Sequence, residues 1–202
     1  GSQVVGMGKD LFEKYEIIKK LFKQADDVLG FKISNIILEG PKEKLDLTEN
    51  TQPAIFLLSY SIFKVIRDEF NIDLNNAKYF AGHSLGEYSA LSCAGYLTFE
   101  ETIRILKIRG NAMQNAVPKG EGGMLAVLGA KVEDLEKILR DHEKTFKAQI
   151  ANDNSDGQIV LSGRNTDLQL ISIFLKKEKI KNIKLPVSAP FHCDLMNKAT
   201  EI

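Results

Sequence analysis

Cysteine is scarce in this chain and neither sign of charge predominates, and both facts narrow its chemistry. Cys93 and Cys193 are its only thiols in 202 residues, far apart and without C-x-x-C spacing. That excludes a disulfide framework and a thiolate metal site, and it fits a reducing compartment. Lys and Arg total 27 against 27 Asp and Glu, a formal net charge of +0, so the polyelectrolyte signature of nucleic-acid or anionic-membrane binding is missing. No apolar run approaches transmembrane length, and no charged-then-apolar leader opens the chain. The expectation is a soluble, cytoplasmic protein without a metal, whose partners are small molecules or proteins.

What is present is 44% hydrophobic residues, enough for a real core in one or two globular domains. The densest signal is Tyr79-Phe80-Ala81-Gly82-His83-Ser84-Leu85-Gly86-Glu87-Tyr88: a short apolar run read as a strand, then Gly-x-Ser-x-Gly, then a helix start. This is the pattern of a nucleophile elbow, in which flanking glycines let the backbone turn sharply and lift the serine hydroxyl beside the first free N–H groups of the helix. The five-residue pattern alone also arises by chance around an idle serine. Strand, elbow and helix in the required order select the nucleophile reading of Ser84. The Leu85 N–H is the natural first oxyanion donor, reinforced by the dipole of a helix expected over 87–94 and closed by Gly95. His83 is expected to pack under the turn, because adjacent residues in an elbow diverge, so the base must come from elsewhere.

The rest of the chain divides by periodicity. Leu11, Phe12, Tyr15, Ile18, Leu21 and Phe22 recur at helical spacing up to Gly30, which predicts one helix over 9–29. Thr51 as cap and Pro53 in the first turn open a second long helix. Thr98-Phe99-Glu100-Glu101 reads as a capping box for a third, which ends before Val117-Pro118-Lys119-Gly120, a break read as a domain boundary. Beyond it the order is β-α-β-β-α-β over 124–185, the ferredoxin-like pattern of a small sheet with two helices on one face. The fold class expected is therefore α/β: a hydrolase-like large domain, 1–120 and 188–202, interrupted by a ferredoxin-like small domain over 121–187.

On a wheel of about 100° per residue, Arg109 falls near the centre of the third helix's apolar face, where it must snorkel, form a salt bridge or meet a ligand anion. Its planar fork suits bidentate capture of a carboxylate. Of the three histidines, His142 lies among charged residues on a helix end. His192 follows a proline in an irregular stretch after a strand and is the best candidate base, since a neutral imidazole can take the Ser84 proton and return it to a leaving thiol.

These residues closely resemble the malonyl-CoA:acyl carrier protein transacylases. The likeness is carried by the run from Gly82 to Leu91, Arg109-Gly110, Met113-Gln114, Val117-Pro118, Asn154-Ser155, Gln158, Ser162-Gly163 and Pro186-Val187-Ser188-Ala189-Pro190-Phe191-His192, in the family's order and over nearly the whole chain. The resemblance implies Ser84 as acylated nucleophile, His192 as general base, Arg109 as clamp on the malonyl carboxylate and Leu85 N–H as oxyanion donor. Phe191 resembles the bulky residue of malonyl-selective members, which leaves little room for a methyl branch. The implied reaction is ping-pong transfer of malonyl from malonyl-CoA to the phosphopantetheine thiol of acyl carrier protein, with coenzyme A thioester as substrate and no cofactor. Two other readings stand beside it: a serine esterase or thioesterase in which Asp153 or Asp156 supports His192, and an inactive fragment that only binds carrier protein.

By the same resemblance the chain is truncated at both ends. Family members open with a strand and a Gly-Gln-Gly-Ser-Gln turn, of which Gly1-Ser2-Gln3 match the last three residues, and they continue past Ile202. Loss of one oxyanion donor costs about a hundred- to a thousand-fold in rate. The 202-residue chain is therefore expected to be a weak or inactive catalyst; malonyl-transfer rates compared with those of a longer chain extended at both ends test this, equal rates overturning it.

Overall fold

The computed structural model describes residues 2–74, 76–187 and 189–202; Gly1 and Ser188, which belong to two motifs quoted above, lie outside the described residues. The chain is an α/β protein that divides into two compact units, residues 1–111 and 112–202.

Among its described residues, the regular structure of the first unit is entirely helical. The helix predicted over 9–29 is two helices, α1 (Lys9–Lys14) and α2 (Glu16–Leu29), because Tyr15 takes an extended backbone at φ −115°, ψ 119°. Gly30 ends α2 as predicted, in left-handed conformation at φ 73° with its N–H on the Asp26 carbonyl. Two short helices, α3 (Ile33–Leu38) and α4 (Lys42–Leu45), lead into α5 (Thr48–Asp68). The last begins earlier than the sequence suggests and carries Pro53 inside it rather than at its start. Side chains just upstream hold the additional turn: Asn50 Nδ2 donates to the Lys44 carbonyl at 2.9 Å and Thr51 Oγ1 to the Leu45 carbonyl at 2.6 Å. Then come α6 (Leu85–Cys93) and α7 (Phe99–Asn115). The predicted capping box opens α7: Glu101 N donates to Thr98 Oγ1 at 3.2 Å, and the Glu101 carboxylate accepts from Thr98 N at 2.9 Å. The core of this unit gathers Ile18 and Phe22 of α2, Phe56 and Leu57 of α5, and Ile103 and Leu106 of α7, with Phe56 stacked on Phe99 at 5.6 Å. Leu85 and Tyr88 of α6 pack against it, half-buried.

The second unit follows the predicted element order: β1 (Gly122–Leu128), α8 (Val132–Asp141), β2 (Ala148–Ser155), β3 (Gln158–Arg164), α9 (Asn165–Lys177) and β4 (Lys181–Lys184). The strands form one sheet in the order β2-β3-β1-β4, every neighbouring pair antiparallel. On one face Leu125, Val127 and Leu161 pack with Leu135 of α8 and Ile171 of α9. On the other, Met124, Ala126 and Val160 are covered by Leu185, Val187 and Phe191. Both faces of β1 are thus buried, which explains its unbroken apolar run. The chain closes with a single 3₁₀ turn and α10 (Asn197–Thr200). No helix among the described residues is long and apolar enough to cross a membrane.

Burial pushes the Cys93 thiol, at the end of α6, up to about 11. At pH 8 its thiolate fraction is then about a hundredfold below that of an unfolded chain. Iodoacetamide should modify Cys93 slower by that factor in the native protein than in urea; equal rates would show that α6 is not seated on the core.

Candidate active site

The elbow begins where a strand was predicted, and the strand is not there: Tyr79-Phe80-Ala81 pairs with nothing in a ladder, and Tyr79 is 87% exposed. A strand exists only against a partner, and the first unit offers none among its described residues. The turn itself is formed. Ser84 sits at φ 55°, ψ −113°, a conformation L-residues rarely hold, and is the N-cap of α6 without capping it through its side chain. Gly86 N donates to the His83 carbonyl at 2.9 Å and Glu87 N to the Ser84 carbonyl at 3.1 Å. The two glycines differ in importance. A Cβ on Gly82 would land on the Gly86 carbonyl, whereas a Cβ on Gly86 would meet open space. Only Gly82 is demanded by close approach. Leu85 is the first residue of α6, where a backbone N–H has no carbonyl of its own helix to bond. His83 is exposed rather than packed under the turn.

Arg109 reaches Ser84. Its Nη2 donates to Ser84 Oγ at 3.1 Å, its Nη1 donates to Gln52 Oε1, and the guanidinium lies 5.6 Å from the centre of the Tyr88 ring. Neither hydrogen-bond acceptor carries a formal charge. Burial pulls the Arg109 pKa below the ordinary arginine range, opposed by Tyr88 and Glu87, and the group stays a cation. The half-buried cation thus lies beside a serine hydroxyl, bonded to neutral acceptors while the Glu87 carboxylate acts on it electrostatically. Gln52 is a partner of Arg109 that sequence reasoning did not find, because nothing local in α5 signals a partner on α7.

The structure therefore brings Ser84, Leu85 and Arg109 together in the first unit; Phe191 and His192 lie in the second. His192 is exposed, with a left-handed backbone at φ 57°. Phe191 packs in part against Met124, Ala126 and Val160 and in part against Met113, Val117 and Met196. Pro190 beside it lies so close to the sheet that Gly122 has no room for a Cβ. Asp153 and Asp156, the acids an esterase would need, are exposed on β2 and the β2–β3 turn. His142 is in ring contact with Phe174 at 4.5 Å and Phe146 at 5.6 Å. Among the described residues no cluster of three or more His, Cys, Asp or Glu is placed to hold a metal.

Comparison with known proteins bears on this arrangement. The family model described as acyl transferase domain matches residues 1–202. The chain is 42% identical over 203 residues to the malonyl CoA-acyl carrier protein transacylase of Bacillus subtilis (strain 168), covering 100% of this chain and 63% of that protein. It is 40% identical to the Haemophilus influenzae protein of the same name, covering 100% and 64%. An acyl-carrier-protein-S-malonyltransferase structure from Bartonella henselae superposes with TM-score 0.93 at 43% identity, covering 100% of this chain and 64% of that one. A structure of a type II PKS acyl-carrier protein in complex with its malonyl-transacylase matches with TM-score 0.92 at 36% identity, again over 100% and 64%. The chain spans just under two thirds of the length of these relatives.

The glycine asymmetry yields a test. Gly82→Ala should destabilise the protein by about 3 kcal/mol, while Gly86→Ala should be neutral or stabilising by up to about 1 kcal/mol. Urea unfolding of the two variants measures both, and equal effects would contradict the elbow geometry.

Proposed function

Because the chain belongs to the acyl transferase domain family, we propose that it carries the acyl-transfer site of a malonyl-CoA:acyl carrier protein transacylase. Malonyl passes from coenzyme A to Ser84 and then to the phosphopantetheine thiol of acyl carrier protein. The observation that carries this reading is the 3.1 Å contact between Arg109 Nη2 and Ser84 Oγ. In a malonyl group a single methylene separates the reacting carbonyl from the free carboxylate. An ester on Ser84 thus places that carboxylate within reach of a guanidinium already touching the oxygen.

The chemistry follows from the residue types. Ser84 Oγ attacks the thioester carbonyl as His192 takes its proton; the tetrahedral oxyanion receives the Leu85 N–H, with the α6 dipole aligned behind it. Collapse expels the coenzyme A sulfur, which takes the proton from His192. The carrier thiol then repeats the sequence in reverse, giving its proton to His192 and returning the serine hydroxyl. Arg109 pairs with the malonyl carboxylate throughout, and Phe191 restricts room for a branched acyl group. The reaction calls for no cofactor beyond the thioester substrate. In this reading the first unit belongs to a hydrolase-like domain interrupted by a ferredoxin-like one over 121–187. The protein is cytoplasmic and engages neither nucleic acid nor membrane.

Incubation of the full-length protein with malonyl-CoA, followed by intact-mass measurement, tests the proposal. A malonyl increment should appear and vanish in Ser84→Ala. Arg109→Ala should lower malonylation by about a hundredfold, the value of losing charge-assisted hydrogen bonds, while acetyl-CoA still acylates the serine. A malonyl increment retained in Ser84→Ala, or equal losses toward the two donors in Arg109→Ala, would sink the reading.

A further inference from the structure

The nitrogen of Arg109 that does not face Ser84 is held by a residue whose own surroundings are unusual for a helix start. Gln52 is 3% exposed, and its neighbours Thr48, Asn50 and Thr51 in the first turns of α5 are buried as well. Buried polar side chains must find partners. Gln52 Nε2 donates to Thr48 Oγ1 at 2.9 Å, which orients the amide and turns Oε1 toward Arg109 Nη1. The helix that carries Arg109 is seated on this same turn. A Cβ on Gly110 would stand 2.6 Å from Glu49 Cα and 2.7 Å from the Thr48 carbonyl oxygen, so only glycine lets α7 approach α5 so closely. One turn back, Lys107 Nζ donates to Asn50 Oδ1 at 3.2 Å.

We propose that Gln52 is the positioning residue that sets acyl preference at this site, because its neutral amide fixes the plane of the Arg109 guanidinium without neutralising the charge. This rests on Arg109 being the carboxylate clamp, as proposed above. A guanidinium has five donors in a rigid fork, so holding Nη1 determines where the others point. A neutral acceptor does this and leaves the positive charge for the substrate. A carboxylate at position 52 would hold the fork more strongly, as charge-assisted pairs do, and would compete with the malonyl carboxylate for the same cation. Glutamine therefore gives orientation with selectivity, where glutamate would give orientation alone.

The test uses the full-length protein and reads the ratio of Ser84 acylation rates from malonyl-CoA and acetyl-CoA, with the melting temperature alongside. Gln52→Leu removes the acceptor, and the malonyl-to-acetyl ratio should fall about tenfold, as expected for one hydrogen bond to a charged group. Gln52→Glu keeps an acceptor on Arg109 and should melt no lower than wild type, yet its ratio should fall at least as far. A purely structural role predicts the opposite for Gln52→Glu, a wild-type ratio in a stable protein, and that result overturns the proposal even if Gln52→Leu fails to fold. Arg109→Ala separates the two levels. If it leaves the ratio unchanged, the clamp reading itself is wrong; if it abolishes the preference while Gln52→Glu retains it, the clamp stands and the role of Gln52 does not.

Discussion

A cation half-buried beside the Ser84 hydroxyl is the constraint that the first unit is arranged around. A guanidinium removed from water must be given acceptors, and an unpaired one is costly enough to reshape its surroundings. Here the partners are Gln52 from α5, Ser84 at the head of α6 and the face of Tyr88 from α6. Three helices meet at one side chain. The buried polar turn of α5 makes sense in these terms: Asn50, Thr51 and Gln52 each satisfy a nearby group, so the turn can be enclosed without orphaned donors while it presents an acceptor to Arg109. Neither Gln52 nor Ser84 carries a formal charge, so these two hydrogen bonds do not neutralise the cation.

Ser84 imposes a second requirement, since its backbone conformation costs about 1–3 kcal/mol. Leu85 and Tyr88, which seat α6 on the core, are only partly buried and together supply about the same amount, given about 1.5–3 kcal/mol for one fully buried side chain. The margin comes from the two backbone hydrogen bonds that close the turn, at about 1 kcal/mol each. The elbow therefore holds its strain locally, provided that nothing separates Gly82 from the Gly86 carbonyl.

What the sequence made legible was local. The Thr98–Glu101 capping box, the Gly30 stop and the β-α-β-β-α-β order of the second unit appear as predicted because each is written in residues a few positions apart. The failures share a cause as well. Pro53 pointed to a helix start, yet α5 begins upstream because side chains at 50 and 51 reach carbonyls six residues back. The apolar run before Gly82 has the pattern of a strand, but a ladder requires a partner that no pattern contains. At the site, Ser84 was readable from its glycines and Arg109 from its misfit on an apolar face. Gln52 lies 57 residues from Arg109, in a helix whose sequence gives no hint of the pairing, and only packing reveals it.

Tyr88 connects the two requirements. It lies one turn into α6, packs on the core that seats the helix, and presents its ring to Arg109. The same helix begins at Ser84, the proposed nucleophile, and supplies the N-terminal amide proposed for the oxyanion. Any displacement of α6 therefore moves the Ser84 hydroxyl, the Leu85 N–H and the Tyr88 ring together, while α5 and α7 keep Gln52 and Gly110 in register with each other. Under the proposed function, rate and selectivity then respond to different helix contacts. Disturbing α6 changes both, because Ser84 and Tyr88 travel as one body, whereas disturbing the α5–α7 seat turns the guanidinium while the elbow stays on its own anchors. Under the proposed function, acyl preference can therefore vary through the second contact without rebuilding the strained turn at Ser84.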